Sequence, residues 1–474
     1  MVEHRDRAAR FGLEHLQAAL GAQGRSIVIL DDGEVADDLV RDLTEVLTSF
    51  RPPVRAAYGC RGGGDVGGAW ECGVVTLQGF RVELAPDAAQ GSRLAQHAGL
   101  HRVVFNHCLA HVVAVMGQRA AERTYGLRDD ELTPAMGWSA PALEKYWRAT
   151  HRQAYPWFSD EGLSSRVPKE ACRALAAALG NWAKSKTAAR KGRRVGFPRF
   201  RRRKDGASCR FDAHTAHPAT SRLVHVPTIG KVSTREDMGW LTDRIADRRA
   251  RVLGSRFERR AGRWWVAFQV EVDRTDINAR HRAPTGGPVV GIDLGITTFA
   301  TIAADDGTVV EVPNPRHLGH KLRRLRRANK ALARKQKGSK NRAKAAAAVA
   351  KVHLEVAHAR ADFLHQLTTS LTRTKSTIVI EDLSVAGMVK NRRLARHIAD
   401  AGWAEFRRQL TYKATWYGSK VVVADRWFPS TRTCPTCAAV NHDLTLADRI
   451  WTCPCGTVHD RDRTAAINLL RLAA

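Results

Sequence analysis

Three acidic positions stand where metal chemistry is easiest to arrange. Val289-Val290-Gly291-Ile292-Asp293-Leu294-Gly295 reads as an apolar strand with one acid in its middle, followed by a glycine turn into a second strand, Ile296-Thr297-Thr298-Phe299-Ala300. Burying an Asp there costs free energy unless a positive group compensates it, and a metal ion is the usual compensation. Thr377-Ile378-Val379-Ile380-Glu381-Asp382 is a second β-branched run ending in acids. Asp460-Arg461-Asp462 precedes an Ala/Leu-rich run that reads as a helix. Asp293, Glu381 and one acid of the Asp460–Asp462 pair can therefore meet at one end of a sheet. There they would hold two Mg²⁺ ions roughly 3.5–4 Å apart, an arrangement that activates water and steadies the leaving oxygen of a phosphodiester. Each acid alone is more simply a strand-end or helix-capping residue. The ordered set carries the argument.

A second constellation follows. Cys434-Pro-Thr-Cys437 and Cys453-Pro-Cys455 are separated by fifteen residues. Thiolates grouped this way in a reducing compartment point to one structural Zn²⁺ held in a closed, non-catalytic site. Such an ion folds an insertion too short to build its own core. The second knuckle has one residue between its cysteines where two are usual, so His442 and His459 stay open as alternative ligands. The remaining cysteines, Cys60, Cys72, Cys108, Cys172 and Cys209, are scattered and read as reduced thiols.

Charge names the kind of partner. The 474 residues carry 77 Lys and Arg against 47 Asp and Glu, a net charge of +30. That surplus fits a polyanion, with nucleic acid the leading candidate. Two segments concentrate it. Lys184 to Lys204 is dense in Lys and Arg, including Arg193, Arg194, Arg201, Arg202 and Arg203, and is interleaved with Phe197 and Phe200. Basic and aromatic residues in alternation suit a phosphate backbone with stacked bases. Lys321 to Lys344 holds twelve basic residues and no acid, among them Arg323, Arg324, Arg326 and Arg327. As one helix it would be basic nearly all round, which suits phosphates and excludes a core position. No apolar run approaches 18 residues, so no membrane span is expected. Met1 to Arg7 is charged with no apolar stretch after it, unlike a signal peptide, and a cytoplasmic location is expected.

The elements that must position these groups change character along the chain. Residues 1–50 alternate helix and strand patterns, and 51–73 are a Pro-, Gly- and Arg-rich linker. A strand at 75–84 is broken by Pro86. Helices are expected from Gln90 to Tyr125, Ala140 to Tyr155 and Lys169 to Thr187. Short strands follow at 209–212, 222–226, 230–233, 251–258 and 264–272, giving a β-barrel-like module with a helical insertion after its first strand. A Pro/Gly linker at 283–288 leads to strands at 289–294, 297–303 and 308–312, a long helix from Ala345 to Leu371, the strand ending at Glu381, a helix from Trp403 to Tyr417 and a strand from Lys420. The whole is an α+β multidomain chain whose second half is an RNase H-like α/β domain with an inserted zinc ribbon.

These residues carry two resemblances. Residues 1–50 look like the closing part of a serine recombinase catalytic domain, with Arg7 and Arg10 matching that family's paired arginines. Its serine nucleophile is missing here, so no recombinase activity is expected. From Val74 onward, roughly five-sixths of the chain, the sequence resembles TnpB, the transposon-encoded RNA-guided RuvC nuclease related to type V CRISPR effectors. The match rests on Pro86…Gln90, Arg102-Val-Val-Phe-Asn106, Gly291-Ile-Asp293-Leu-Gly295, Ile378-Val-Ile-Glu381-Asp-Leu, Trp403…Glu405-Phe406, the cysteine cluster, and Asp460-Arg-Asp462…Ala465-Ala466. The resemblance implies a RuvC triad at Asp293, Glu381 and Asp462, with Asp460 the adjacent candidate for the third acid. It also implies a guide RNA that pairs with one strand of target double-stranded DNA. Thr464 and His358 depart from the family, each standing where Asn is usual. The implied division is 74–95 for the first part of the barrel (wedge) module, 96–191 for a helical recognition lobe, 192–285 for the rest of the module, 286–430 for the nuclease domain, 431–458 for the zinc ribbon and 459–474 for the nuclease C-terminal segment.

Three rival activities share these features. A nucleic-acid-binding protein without cleavage would not need all three acids. A strand-transfer transposase would use the same acid geometry but also a bound DNA end, and no separate helix-turn-helix stands out in the sequence. An RNase H-type enzyme cutting RNA in hybrids is the third.

Overall fold

The computed structural model describes residues 75–156, 162–187, 189, 192, 194–203, 206–445 and 448–473. The recombinase-like stretch at 1–50, the linker at 51–73, Cys60, Cys72 and Arg193 lie outside the described residues.

β1 (Val75–Leu84) ends where Pro86 blocks its continuation, and Asp87 starts α1 (Ala88–Thr124). The Asp87 carboxylate accepts from Gln90 N–H at 2.8 Å while the Gln90 side chain accepts from Asp87 N–H at 3.2 Å. This reciprocal capping box satisfies two of the donors a helix start leaves open, and it explains why Pro86 and Gln90 mark this point in the sequence. Leu94, Ala98, His101, Val104, Phe105, Cys108 and Val112 recur at helical spacing and are buried. They pack with α2 (Ala140–Ala154) and α3 (Arg166–Lys186), the latter through Val167, Ala171, Leu175 and Leu179. Cys108, Cys172 and Cys209 are free thiols in this core.

The chain then returns to the first strand. β2 (Ala207–Asp212), β6 (Ala250–Arg260) and β7 (Arg263–Asp273) join β1 in an antiparallel sheet of order β1-β7-β6-β2. Trp264, Val266, Phe268, Val270 and Val272 alternate into the core along β7, the period of two that a strand imposes. Between β2 and β6 lie β3 (His217–Thr220), β4 (Leu223–Val226) and β5 (Gly230–Ser233), a separate three-stranded sheet, and the short helix α4 (Gly239–Ala246). A bridge between Leu84 and Thr234 joins the two sheets. The helical insertion does follow the first strand. The β region is two linked sheets, and the sequence pattern missed both β3 and α4.

After α5 (Thr275–Arg280), the acid-bearing sheet contains β8 (Val289–Leu294), β9 (Thr298–Ala304), β10 (Val309–Pro313), β11 (Thr377–Ile380) and β12 (Lys420–Val423). Its order is β10-β9-β8-β11-β12. The first three strands form an antiparallel meander, and β8, β11 and β12 run parallel. One face packs Val290, Ile292, Phe299, Ile378 and Ile380 against Leu364, Phe406 and Leu410. Those partners come from α7 (Lys340–Thr374) and α10 (Trp403–Tyr417), two helices whose bounds fall close to expectation. On the other face Val379 packs against Leu469 of α11 (Arg461–Leu470). Two short helices, α8 (Val385–Met388) and α9 (Ala395–Ala401), precede α10.

The all-basic helix expected from Lys321 to Lys344 is instead two helices. α6 (His317–Ala333) stops, a turn containing Gly338 at φ +85° follows, and α7 begins at a Ser339 cap. Arg342 of α7 donates back to the carbonyls of Leu332 and Lys335 at the end of α6. Glu355 of α7 pairs with Arg324 at 2.8 Å and Lys321 at 3.6 Å. Both contacts fold α6 back on α7 and consume part of the expected positive face.

Candidate active site and metal centre

Strand register brings the first two acids together. β8 and β11 are parallel with Ile292 level with Ile380. Asp293 and Glu381 each follow by one step, Asp293 within β8 and Glu381 just past the end of β11. Gly291, two residues before Asp293 and on the same face, is where α11 crosses. A Cβ there would lie 2.2 Å from the Ala466 carbonyl oxygen and 2.3 Å from Leu470 N. Only glycine lets the helix approach so closely. At Gly295 a Cβ would meet the Thr298 carbonyl oxygen at 2.7 Å, so this glycine closes the β8–β9 turn. The Gly-x-Asp-x-Gly pattern is thus one acid between two close backbone approaches.

α11 supplies the third acid from its first turn. Asp460 is its cap, and its side chain accepts from Arg463 N–H at 2.9 Å. Asp462 is one residue into the helix. Asp293 is buried, with 8 % of its surface exposed. Burial pushes its carboxyl well above the usual carboxylate range, the negative charges of Glu381 and then Asp462 push it further, and Arg461 acts the other way with less effect. The three acids therefore form one electrostatic cluster, and the chain leaves its negative charge incompletely compensated. Asp460 is committed to capping.

The surroundings hold two of these acids still. Ser430 Oγ donates to Glu381 Oε1 at 2.6 Å. Asn468 of α11 donates to the carbonyls of Ser430 and Thr433, both at 2.7 Å. That side chain ties the loop carrying Ser430 to the helix carrying Asp462. Asp462 also faces Arg449 at 3.4 Å and Arg461 at 3.7 Å. Asp382, the neighbour of Glu381, is turned to Arg407 and Arg426 and held below the usual carboxylate range, first by its hydrogen bond to Arg407. A cavity of about 60 Å³ opens here, lined by Glu381, Asp382, Asp425, Arg426, Phe428 and Leu469 among others. Ser430 and Asn468 were not singled out in the sequence, where a lone Ser in a loop and a lone Asn in a helix carry no signal. Thr464 is buried on α11, one turn before Asn468.

The four cysteines do converge. Cys434, Cys437, Cys453 and Cys455 place their sulfurs within 4.8 Å of one another. Cys434 and Cys455 are 3.7 Å apart, and Cys437 and Cys453 are 3.5 Å apart. A tetrahedron of sulfurs about 2.3 Å from a central Zn²⁺ has edges of similar length, ~3.8 Å. The short Cys453-Pro-Cys455 knuckle succeeds because Gly456, at φ +85°, turns the chain so that Gly456 N–H reaches the Cys453 carbonyl at 2.8 Å. Thr457 hydrogen-bonds the Cys455 sulfur and, as the chief cause, brings that thiol down to about 6. His459 is not one of the four but stands behind them, its Nε2 3.1 Å from the Cys434 sulfur and its ring 4.7 Å from Trp451. His442 is not in the cluster. The hairpin of β13 (Ile450–Thr452) and β14 (Val458–Asp460) carries these residues straight into α11.

The basic candidates separate by role. Arg201 is anchored to α1: a guanidinium nitrogen donates to His101 Nδ1 at 2.9 Å, and the group lies 3.6 Å over the Phe105 ring. The Asn106 side chain clamps the Arg201 backbone with two 2.8 Å hydrogen bonds. The Phe-Asn pair of the Arg102–Asn106 motif is thus a clasp for residue 201. Arg194, Arg202 and Arg203 are exposed, as are Arg323, Arg326 and Arg327 on α6. Arg324 is the one paired with Glu355. His358 lies edge-on to Trp265, 5.5 Å between rings.

Comparison with known proteins agrees with this layout. Residues 267–392 match the OrfB/IS605 family model, described as a "probable transposase", and residues 403–469 match a Cas12f1-like TNB domain. Residues 76–112 match a family described as a helix-turn-helix domain, although here they are β1 and an unbroken part of α1. A Streptomyces pristinaespiralis protein named "Putative RNA-guided DNA endonuclease" is 36% identical over 393 residues, covering 82% of this chain and 88% of its own. Escherichia coli K12 InsQ, which carries the same description, is 27% identical over 394 residues, covering 80% of this chain and 87% of its own. The solved structure titled as the mini-RNA-guided endonuclease CRISPR-Cas_phi3 superposes with a TM-score of 0.44 at 9% identity, over 94% of this chain and 98% of that one. The chain is a mixed α/β multidomain protein with a cysteine cluster that could bind zinc. The chain belongs to the TnpB family.

Proposed function

We infer that this protein is an RNA-guided DNA endonuclease of a transposable element, with Asp293, Glu381 and Asp462 as its catalytic acids. What supports the reading is the electrostatic coupling of a buried Asp293 on β8 to Glu381, just past β11, and to Asp462 at the start of α11. The strand order β10-β9-β8-β11-β12 supports an RNase H-like, RuvC-type reading of this domain. Hard oxygen donors with uncompensated negative charge fit divalent cations. Two bound Mg²⁺ would supply an activated water and stabilise the leaving oxygen of the scissile phosphodiester.

The chain's own residues prepare that chemistry. Ser430 orients Glu381 by donating to one of its oxygens. Arg407 and Arg426 hold Asp382 in ion pairs, leaving Glu381 as the acid facing Asp293. Asn468 fixes the Ser430 loop to α11. The four cysteines fit one structural Zn²⁺, which would hold the hairpin that positions Asp462. His459, with Nε2 3.1 Å from the Cys434 sulfur, would keep that thiolate charged in the tautomer that carries the Nε2 proton. The exposed arginines on α6 and at 194–203 suit the phosphates of guide RNA and target double-stranded DNA. Sequence choice is then left to base pairing. No described helix is long and apolar enough to cross a membrane, and cytoplasmic action on nucleic acid fits this reading.

Two experiments test it. The protein is expressed beside its native flanking DNA, and the RNA that copurifies is sequenced. Changing the guide segment of that RNA should move the cut to the new matching site on a plasmid, and a cut that stays in place would contradict guidance. The transposase description of the matching family favours a second reading, strand transfer. Free 3′-hydroxyl and 5′-phosphate ends at the cut would support hydrolysis, whereas a donor end joined to target DNA would support strand transfer.

A further inference from the structure

The loop that leaves β12 for the cysteine cluster carries a tryptophan in an unusual setting. Trp427 is 85 % exposed, although an indole in water forgoes one of the largest hydrophobic gains a side chain can make. Its neighbours are all committed. Asp425 accepts from Trp427 N–H at 2.8 Å and fixes the backbone. Arg426 pairs with Asp382 at 2.5 Å. Phe428 packs against the small core of Val379, Ala424 and Leu469. Ser430 donates to Glu381. The loop is thus pinned on both sides of Trp427, and the indole is the side chain directed outward. It sits between Arg426 and Phe428, two residues that line the cavity beside Glu381.

We propose that Trp427 is a stacking platform for one base of a nucleic-acid single strand that passes over the carboxylate cluster. The inference rests on the nuclease reading above, for which it names the contact that holds the strand at the site. A flat aromatic face accepts any base because every base has a π-face. That tolerance suits an enzyme whose sequence choice lies elsewhere. Phe428 and Ser430 fix the platform relative to Glu381, so a stacked base would hold the strand beside the acids. A protein partner covering the indole is the competing occupant, and the test separates the two.

The test uses the full chain with its copurified RNA. A single-stranded DNA oligonucleotide carrying 4-thiothymidine is crosslinked to the Asp293→Ala protein, which retains the strand uncut. The expected crosslink falls in the tryptic peptide from Trp427 to Arg432, disappears in Trp427→Ala and returns in Trp427→Phe. In the cutting-competent protein, Trp427→Ala should raise the KM for the oligonucleotide about tenfold, the scale of one lost base stack. Its kcat should stay within about twofold, and Trp427→Phe should recover most of the KM. Unchanged melting of both variants would exclude a folding defect. Crosslinks confined to other peptides, or an unchanged KM in Trp427→Ala, would overturn the proposal and leave a protein partner as the occupant. Absence of cutting by the wild-type protein, with the Trp427 crosslink present, would overturn the nuclease reading while the strand contact stands.

Discussion

At the scale of single residues, the site is governed by charges that the fold holds in unfavourable places. Asp293 keeps its proton to higher pH in the folded chain than in the unfolded one, where an Asp titrates near 3.9. The metal-free fold therefore gains from Asp293 only at low pH, and that contribution is lost as pH rises through the raised folded value. Asp293→Asn should accordingly melt higher than the metal-free wild type at pH 8 while losing cleavage. Added Mg²⁺ should raise the wild-type melting temperature and leave the variant nearly unchanged. Equal Mg²⁺ effects on both proteins would contradict the assignment of Asp293 as a ligand. Lys413 gives the opposite slope. It is buried on α10 and donates to the His365 carbonyl, Thr368 and Thr369, none of them a carboxylate, and burial brings it down to about 8. An unfolded Lys titrates near 10.4, so the Lys413 contribution should make stability rise with pH between about 8 and ~10.4. Lys413→Met should flatten the denaturation profile across that window.

At the scale of elements, the acids are placed by packing and register. Gly291→Ala puts a methyl group against the backbone of α11. It should shift the helix, cost roughly 1–3 kcal/mol of stability and abolish cutting by moving Asp462. Ser430→Ala removes the donor to Glu381 and should slow cutting about 10- to 100-fold, the usual cost of losing a partner that orients a metal ligand, with melting little changed. Much of this arrangement was legible beforehand. The strands leading to Asp293 and Glu381 and the helix from Trp403 to Tyr417 follow from apolar periodicity and β-branched runs. What escaped were contacts between distant loops: Ser430 with Glu381, Asn468 with Ser430, Asn106 with Arg201. Such contacts lie 38 to 95 residues apart in the chain and leave no local pattern. The break between α6 and α7 escaped for a different reason. Uniform basic charge hid a turn whose only marks are Gly338 and the Ser339 cap.

At the scale of the whole molecule, a net charge of +30 makes nucleic-acid binding steeply dependent on salt. Replacing Arg323, Arg326 and Arg327 by Gln should weaken RNA binding and flatten the slope of log affinity against log salt by about 2. Arg201→Ala should instead lower the melting temperature, because Arg201 fastens its segment to α1, while Arg203→Ala should leave melting unchanged. The cysteine hairpin and α11 are continuous in the chain, so stripping Zn²⁺ with a chelator should depress melting temperature and cutting together, and restoring Zn²⁺ should return both.

The most direct test of the central claim is single-turnover cleavage of a plasmid matched to the copurified RNA, with and without Mg²⁺, in wild-type protein and in Asp293→Asn. The account predicts a discrete Mg²⁺-dependent cut by the wild type, and none by the variant even though it binds RNA and plasmid as tightly. Cleavage by Asp293→Asn at a rate near that of the wild type would contradict it.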